Sequence, residues 1–227
     1  RISTLFGIAF FVYLLACRDK MRIKENLVKF LSPVIAGLLI FSAYNYARFN
    51  NPLETGYKHQ LLFPELEGNR ASGMWSLKHF PANTYFLLFK GPEAVFLNGT
   101  KILTELYPND WGMGILFTTP VLLYLAFLNM HSRLVRASTY AVVPILFFLL
   151  GSFGIGAYQY GYRFALDFQP FLFLAMFTVF RQRRVGFLAK LLIAVSILFN
   201  IYVCSNFDKY NTATIIEPSV VSDTADL

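Results

Sequence analysis

Apolar residues are gathered along this chain into long blocks, separated by short basic segments or segments containing Pro and Gly. A helix of roughly 20 apolar residues crosses the hydrocarbon core of a bilayer, and such blocks are typical of membrane spans. The pattern therefore predicts an all-α fold, a polytopic transmembrane helical bundle of about six spans. The predicted spans are 2–17, 27–47, 112–129, 137–158, 164–180 and 187–204.

The longest connection, 48–111, is predicted to be one large outer loop. Within it, residues 81–98 are apolar, but Lys90, Gly91 and Pro92 interrupt them and they are too short to span a bilayer. We expect this stretch to form interfacial helices that lie on the outer leaflet. The transmembrane region is then 1–204, followed by an outer C-terminal tail at 205–227.

Basic residues set the expected orientation of the spans. They cluster in the short connections at 18–29, 131–136 and 181–186, and cytoplasmic loops are enriched in Lys and Arg. When these three connections are placed inside, the large loop and the tail lie outside. We therefore expect a multi-pass integral membrane protein whose large loop faces the extracytoplasmic side.

Composition excludes several other classes of protein. Of the 227 residues, 56% are hydrophobic and only 15% are charged, so a water-soluble globule could not bury this much apolar surface. The formal net charge of +7 fits basic cytoplasmic loops, and no nucleic-acid partner is expected.

Cys17 and Cys204 are predicted at opposite membrane faces, too far apart for a disulfide. The three histidines form no cluster with ligand spacing, so we expect no metal or other cofactor in this chain.

One candidate site lies at 157–172, where tyrosines and an arginine precede an acidic residue at the outer mouth of a predicted span. Charge at this depth is costly and needs a reason. In one interpretation, Arg163 and Asp167 form an ion pair within a helix, and the tyrosines are an aromatic belt. In the other, Arg163, helped by tyrosine hydroxyls, binds a phosphate at the membrane surface, because a guanidinium offers a fork of donors that matches phosphate oxygens.

A second candidate site follows the span at 27–47. Arg48, Glu54, Tyr57, Lys58 and His59 are concentrated immediately outside the membrane, where they could hold a polar substrate or transfer a proton. The simpler interpretation is a tight turn stabilised by local hydrogen bonds, since turn residues are common where a helix ends. No pair in this group has a spacing that is diagnostic of one reaction.

The order of these motifs resembles the C-terminal half of GT-C-type membrane glycosyltransferases, a superfamily that includes protein mannosyltransferases and bacterial aminoarabinose-transferase-like enzymes. The resemblance covers roughly 27–180 and is carried by four segments, each weak alone but moderately specific in this order. They are YNYARFNNPLETGY, WSLKHFPANTYFLLFKGPEA, WGMGILFTTPVLLY and YQYGYRFALDFQPFLFL.

The resemblance implies an inverting transferase that moves a sugar from a polyprenyl-phosphate donor to an acceptor on the extracytoplasmic face, in a bacterial or archaeal plasma membrane. It also implies a catalytic acidic residue, often near a divalent metal, in a first outer loop. That loop is not in this sequence, so we expect an N-terminal catalytic part to be missing and assign no catalytic residue here. The resemblance places Arg163 and Tyr162, with Arg48 as a second cation, at the lipid phosphate, and leaves Glu54, Tyr57 and His59 as a possible substrate loop.

Two other functions compete with glycosyl transfer. The chain could be a segment of a transporter or flippase for a lipid-linked or polar substrate, with Arg163 and Asp167 on the translocation path. Such paths usually place ionisable groups near the bilayer midplane, whereas Arg163 is predicted at the outer boundary. A structural or assembly subunit is the third possibility. The expected partners are the bilayer, a polyprenyl-phosphate-linked sugar and an acceptor that the sequence does not identify.

Overall fold

The computed structural model describes residues 2–18, 22–62, 64–96, 101, 103–107, 111–154, 156, 159–182 and 185–215. These residues are mostly helical, as the apolar pattern predicted. The α-helices are α1 (Ile8–Arg18), α2 (Ile23–Phe49), α3 (Pro64–Ala71), α4 (Phe80–Leu88), α5 (Ile115–Thr118), α6 (Arg133–Gly151), α7 (Gln169–Gln182) and α8 (Phe187–Ile215). The 3-10 helices are Ile2–Gly7, Tyr57–His59, Leu77–His79, Pro120–Phe127 and Arg163–Asp167.

Three of these helices are long and apolar enough to cross a membrane: α2, α6 and the apolar part of α8 at Phe187–Ser205. They correspond to the predicted spans 27–47, 137–158 and 187–204. Two further apolar helices, Ile2–Arg18 and Gln169–Arg181, occupy the predicted positions 2–17 and 164–180 but are shorter. The structure thus fits an integral membrane protein with three candidate spans.

The predicted span at 112–129 does not form one continuous α-helix. The four residues of α5 are followed by Thr119, whose backbone is not helical (φ −143°, ψ 63°). The chain then continues as the 3-10 helix Pro120–Phe127. Pro120 explains this break, because proline lacks a donor for the helical ladder and disfavours a helical conformation in the residue before it.

Two helix boundaries also differ from those predicted. Helix α2 begins at Ile23 rather than at residue 27, and Pro33 lies inside it. Helix α8 continues to Ile215, into the segment predicted as a C-terminal tail at 205–227. The rest of that tail, 216–227, lies outside the described residues.

The segment predicted as one large loop contains a β-hairpin, which corrects the expectation of an all-α fold. Helix α4 covers the first half of the predicted interfacial stretch 81–98, but the second half forms strand β1 (Glu93–Phe96). This strand pairs antiparallel with β2 (Leu103–Tyr107), and Glu93 lies opposite Tyr107. Gly91 and Pro92 separate the helix from the strand, consistent with their role as breaks in the sequence.

The chain divides into two compact units. Unit 1 comprises 1–80, 128–154 and 167–178, and unit 2 comprises 81–127, 155–166 and 179–227. In unit 1, α6 presents one face to the interior. Ala137, Ala141 and Ile145 are fully buried there, and their spacing of four residues places them along one side of the helix.

The directions of the helices in unit 1 follow from the residues that they bring together. The 3-10 helix Ile2–Gly7 and α1 run antiparallel to α6, since Phe6 lies against Phe148 and Tyr13 against Tyr140, with ring centroids 5.7 and 4.9 Å apart. They run in the same direction as α7. Ser3 donates a hydrogen bond to Asp167 at the start, and the rings of Phe10 and Phe171 are 5.2 Å apart further along.

Trp75 links the segment before α4 to the end of α6 within unit 1. Its indole Nε1–H donates to the carbonyl of Phe148 at 3.1 Å, and its backbone forms a bridge with Ser152. The indole lies so close to Gly151 that a Cβ at that position would overlap it. Tryptophan therefore has a specific packing site here, in which its indole N–H has a hydrogen-bond partner.

In unit 2, the segment Ile115–Phe127 lies beside α8. Asn200 Nδ2 donates to the carbonyl of Thr118 at 2.7 Å, a carbonyl close to the break between α5 and the 3-10 helix. Tyr124 packs against Phe180 with ring centroids 5.5 Å apart. A side-chain amide on α8 thus satisfies a backbone group near the break, which is what a non-helical backbone needs in an apolar environment.

Candidate functional site

The first candidate site is the loop 159–163 in unit 2, which is held against the loop 111–114. Met113 N donates to the carbonyl of Tyr160 and Tyr162 N donates to the carbonyl of Met113, each at 3.0 Å, forming a parallel bridge between Met113 and Gly161. The Met113 side chain is completely buried. The two loops therefore form one compact layer in unit 2.

Gln159 is the polar centre of this layer, although no sequence motif singled it out. It is buried, its Nε2 donates to the carbonyl of Trp111 at 2.8 Å, and its Oε1 accepts from the backbone N–H of Arg163 at 3.4 Å. Gly112 and Gly156 pack against its side chain, both with a φ of +88°. Positive φ values favour glycine. The signal for this arrangement in the sequence was therefore the presence of glycines near an isolated glutamine.

Tyr162, predicted to contact a lipid phosphate, is almost entirely buried, with 3% of its surface exposed. Its ring packs edge-on against Phe164 at 5.7 Å. Its hydroxyl has no hydrogen-bond partner among the described residues, and burial raises the pKa of this phenol well above its ordinary value. A buried hydroxyl without a partner is costly, so the position is unfavourable unless a ligand or water supplies one.

Arg163, the other predicted phosphate ligand, follows directly and is exposed. Its guanidinium carbon lies 5.6 Å from the centroid of the Phe164 ring, in cation–π geometry. Gln159 holds its backbone N–H. The loop therefore holds the backbone of Arg163, while the residue remains exposed.

The alternative interpretation of Arg163 assumed a pair with Asp167 on an α-helix. These residues instead begin and end the 3-10 helix Arg163–Asp167, in which residues three apart, rather than four, share a side. Asp167, in unit 1, is buried and accepts a hydrogen bond from the Ser3 hydroxyl. Ser3 is 164 residues away in the sequence, so local spacing could not have indicated this contact.

The second candidate site is the turn after α2 in unit 1. Asn50 ends the helix in the left-handed conformation, with φ +52°, and the Asn51 side chain accepts from Leu53 N at 3.0 Å. Glu54 is buried, and its carboxylate accepts from Gly56 N at 3.0 Å and lies 3.5 Å from Lys58 Nζ. These contacts are those of the tight turn that was the simpler interpretation.

The pKa of Glu54 reflects opposing effects. Burial alone would raise it, but the hydrogen bond from Gly56 and the charge of Lys58 together lower the pKa below its ordinary value. Glu54 is therefore a stable carboxylate with defined partners. A general base needs a pKa nearer the working pH, so this environment does not favour Glu54 as a base.

Arg48 and His59, two other predicted site residues, both contact Phe49. The Arg48 guanidinium carbon lies 4.8 Å from the Phe49 ring centroid, and Arg48 also donates to the Tyr44 hydroxyl at 3.3 Å. The His59 ring stacks on Phe49 at 5.5 Å, with only 9° between the planes. The structure thus brings Arg48 and His59 to one aromatic side chain, and both remain exposed.

Arg70 organises this turn, and no sequence pattern pointed to it. One guanidinium nitrogen donates to the carbonyls of Tyr57, Lys58 and Gln60, at 3.2, 3.2 and 2.8 Å. Tyr57, predicted as a substrate-loop residue, is therefore fixed through its carbonyl, while about half of its surface is exposed, at 47%. A single arginine ten to thirteen residues away holds the loop that carries the candidates.

The two candidate sites belong to different units: Tyr162 and Arg163 to unit 2, and Arg48, Glu54, Tyr57 and His59 to unit 1. In the described part of the chain, no group of three or more His, Cys, Asp or Glu side chains could hold a metal ion. The long apolar helices of the described chain fit an integral membrane protein.

Comparisons of the chain with protein-family models, curated proteins and solved structures found no match.

Proposed function

We propose that this chain is the carrier-binding part of a GT-C-type membrane glycosyltransferase, which moves a sugar from a polyprenyl-phosphate donor to an acceptor on the extracytoplasmic face. The observation that carries the proposal is the exposed residue Arg163 directly after Tyr162, whose buried hydroxyl has no partner among the described residues. The carrier phosphate would receive donors from both groups. Its prenyl chain would stay in the bilayer beside the apolar helices.

The proposed topology has six crossings with the large loop outside. The candidate spans α2, α6 and α8 all have basic residues at or just before their N-terminal ends, which favours an inside position for each N-terminus. The remaining crossings would be 2–18, 115–127 and 169–182. The antiparallel order of α1 and α6, and the parallel order of α1 and α7, support this alternation.

Helix geometry makes the shorter crossings physically reasonable. The six 3-10 residues and the 11 α-helical residues up to Arg18 extend about 28 Å, because a 3-10 helix rises about 2.0 Å and an α-helix about 1.5 Å per residue. The hydrocarbon core is about 30 Å thick. The 14 residues of α7 reach only about 21 Å and would require local thinning of the bilayer or help from flanking residues.

The proposed chemistry is a single inverting displacement. An acceptor heteroatom attacks the anomeric carbon, the bond from that carbon to the phosphate oxygen breaks, and its electron pair remains on the polyprenyl phosphate. The acceptor proton passes to a base. A fixed guanidinium at the phosphate stabilises the charge that develops on the leaving group, and such preorganised electrostatic stabilisation usually lowers the activation barrier more than any other single effect.

We assign neither the base nor a metal to this chain. Glu54 is held as a carboxylate by Gly56 and Lys58, and Asp167 is engaged by Ser3. The divalent metal that the resemblance implies has no ligand cluster in the described residues.

The position of the ionisable side chains favours this proposal over transport. In α2, α6 and α8 as described, Lys, Arg, Asp and Glu occur only near the helix ends. A translocation path normally places such groups near the middle of the membrane. An exposed cation at the outer mouth is better suited to a reaction at the membrane surface.

The test is photocrosslinking of a radiolabelled, photoreactive polyprenyl-phosphate probe to the chain in native membranes. Arg163→Ala should lose most of the specific labelling, because the phosphate loses its charge-assisted partner, a bond of about 1.5–3 kcal/mol. Tyr162→Phe should also reduce labelling. The matched control is Lys101→Ala, which removes an exposed cation from the same unit and should label like wild type.

Stability measurements separate a binding role of Tyr162 from a structural one. The Tyr162 hydroxyl has no partner within the described part of the folded chain, so Tyr162→Phe should leave the melting temperature unchanged or slightly raise it. Equal labelling of wild type and Arg163→Ala, with unlabelled polyprenyl phosphate competing equally well, would exclude the carrier-phosphate role and favour transport or a structural role.

A further inference from the structure

An open groove lies at the basic end of unit 1, where α1 ends and α2 and α6 begin. This is the end of α2 opposite to the turn that carries the second candidate site. It has a volume of about 530 Å³, within the rough range of 300–1,000 Å³ for small-molecule sites. Neither the proposed glycosyl transfer nor the two candidate sites use it. Its lining residues are Phe11, Leu14, Leu15, Cys17, Arg18, Phe30 and Arg133.

The groove combines an apolar wall with two cations. Phe11 and Phe30 pack together, with ring centroids 5.7 Å apart, and join α1 to α2 along the wall. Arg18 and Arg133 are exposed, and neither has an ion-pair partner within the described part of the chain. No carboxylate of the described residues lines the groove. The nearby Glu25 is engaged by Lys29 at 2.6 Å.

We propose that this groove binds an anionic phospholipid of the adjacent leaflet. The phosphate would lie between Arg18 and Arg133, since guanidinium groups match phosphate oxygens, and an acyl chain would lie along Phe11, Leu14 and Phe30. Basic pockets between membrane helices on the cytoplasmic side are suited to anionic headgroups. This end of unit 1 has that character, because further basic residues follow in the sequence, namely Arg22, Lys24 and Arg136.

A phospholipid fits better than a soluble phosphate or an acidic peptide. Five of the seven lining residues are apolar or a thiol, and a free phosphate could use only the two arginines. The arginines lie at the ends of apolar helices, where the headgroup and the first acyl carbons meet. A ligand with one anionic end and one apolar end satisfies both parts of the groove.

The two cysteines provide a direct test in the purified full chain in nonionic detergent. Cys17 lines the groove, whereas Cys204 is exposed on α8. The rate of maleimide labelling of each thiol is measured by mass spectrometry while lipid is added. Phosphatidylglycerol should protect Cys17 at a mole fraction about 25-fold lower than phosphatidylcholine with the same acyl chains, at about fivefold for each arginine. Cys204 should respond equally to both lipids.

Two further ligands separate the lipid from its headgroup. Inorganic phosphate and glycerophosphoglycerol carry the charge without acyl chains and should protect Cys17 little at the same concentration. If either protects as well as phosphatidylglycerol, the groove is a soluble-anion site and the lipid assignment is wrong. These measurements use wild type alone, so they do not depend on the folding of a variant.

The arginines are tested by Arg18→Gln/Arg133→Gln, which should make the two lipids equally protective. Lys78→Gln/Lys101→Gln removes the same charge from exposed positions outside the groove and should keep the preference for phosphatidylglycerol. Equal protection of wild type by both lipids, or the same loss in both double variants, would overturn the proposal. Failure of this test would leave the polyprenyl-phosphate labelling at Arg163 unaffected, because the residues differ.

Discussion

The anchoring of the Arg163 loop can be tested by adding a single methyl group at Gly112. Gly112 has a φ of +88° in unit 2, and a Cβ there would lie 2.9 Å from the Gln159 side chain and 3.0 Å from the carbonyl oxygen of Gly161. Gly161 pairs with Met113 in the parallel bridge next to Gly112, and its φ is not positive. A Cβ on Gly161 would make only an ordinary contact with Thr118, at 3.5 Å. The two glycines therefore form a matched pair.

The expected cost of Gly112→Ala has two parts. A left-handed backbone costs an L-residue roughly 1–2 kcal/mol, and crowding against Gln159 and the Gly161 carbonyl adds about 1 kcal/mol more. A total of about 2–3 kcal/mol multiplies the equilibrium constant for opening of the loop by roughly 30- to 150-fold. Gly161→Ala should change stability by less than about 1 kcal/mol, in the stabilising direction, because alanine restricts the unfolded chain.

Limited trypsin digestion measures this opening at the peptide bond after Arg163. That bond lies in a 3-10 helix, so cleavage requires local unfolding, and the cleavage rate follows the population of the open form when opening and closing are fast. Cleavage after Lys101, which is exposed, provides an internal reference in the same sample. We expect Gly112→Ala to accelerate cleavage at Arg163 by at least tenfold relative to Lys101.

Two outcomes would refute this reasoning. If Gly112→Ala and Gly161→Ala accelerate cleavage equally, backbone conformation at Gly112 does not determine the stability of the loop. If neither variant changes the rate, then Gln159 and the bridge at Met113 do not anchor Arg163, and its guanidinium is not held in place for a phosphate.

Two further predictions concern the turn after α2. The pKa of Glu54 is lowered below 4.5 in the folded chain, so the stabilising effect of its carboxylate is fully present above that pH and is lost as the pH falls through the folded pKa. The difference in melting temperature between wild type and Glu54→Gln should therefore be constant near neutral pH and disappear in acid. A difference that grows in acid would contradict this sign. Arg70→Ala leaves the carbonyls of Tyr57, Lys58 and Gln60 without their common donor, so trypsin should cut after Lys58 several-fold faster, whereas Lys78→Ala should leave that rate unchanged.

Sequence pattern predicted the membrane character and the long helices well. Uninterrupted apolar runs bury favourably in lipid wherever they occur, so α2, α6 and α8 could be located from composition and length alone. The tight turn considered after the span at 27–47 was also local, because the Asn51 side chain accepts a hydrogen bond from a backbone N–H only two residues ahead. In both cases the stabilising free energy comes from residues close in the sequence or from the surrounding lipid.

Prediction from sequence was less accurate where local and long-range preferences compete. The apolar block at 112–129 looked like one span, yet Pro120 divides it, and Asn200 on a distant helix compensates for the break. The apolar stretch after Pro92 was expected to be helical but pairs with β2. Strand pairing depends on a partner segment, which hydrophobicity within one window cannot reveal.

The sequence by itself thus determined that this protein has the apolar helices of a membrane protein, where its principal helices lie, and which residue types are available for phosphate recognition. Only the tertiary structure decided that Tyr162 is buried while its neighbour Arg163 is exposed, and that Asp167 bonds Ser3 rather than serving as a free charge. The physical reason is that burial and hydrogen-bond partners depend on which distant segments pack together. Propensity and periodicity, by contrast, act over a few residues.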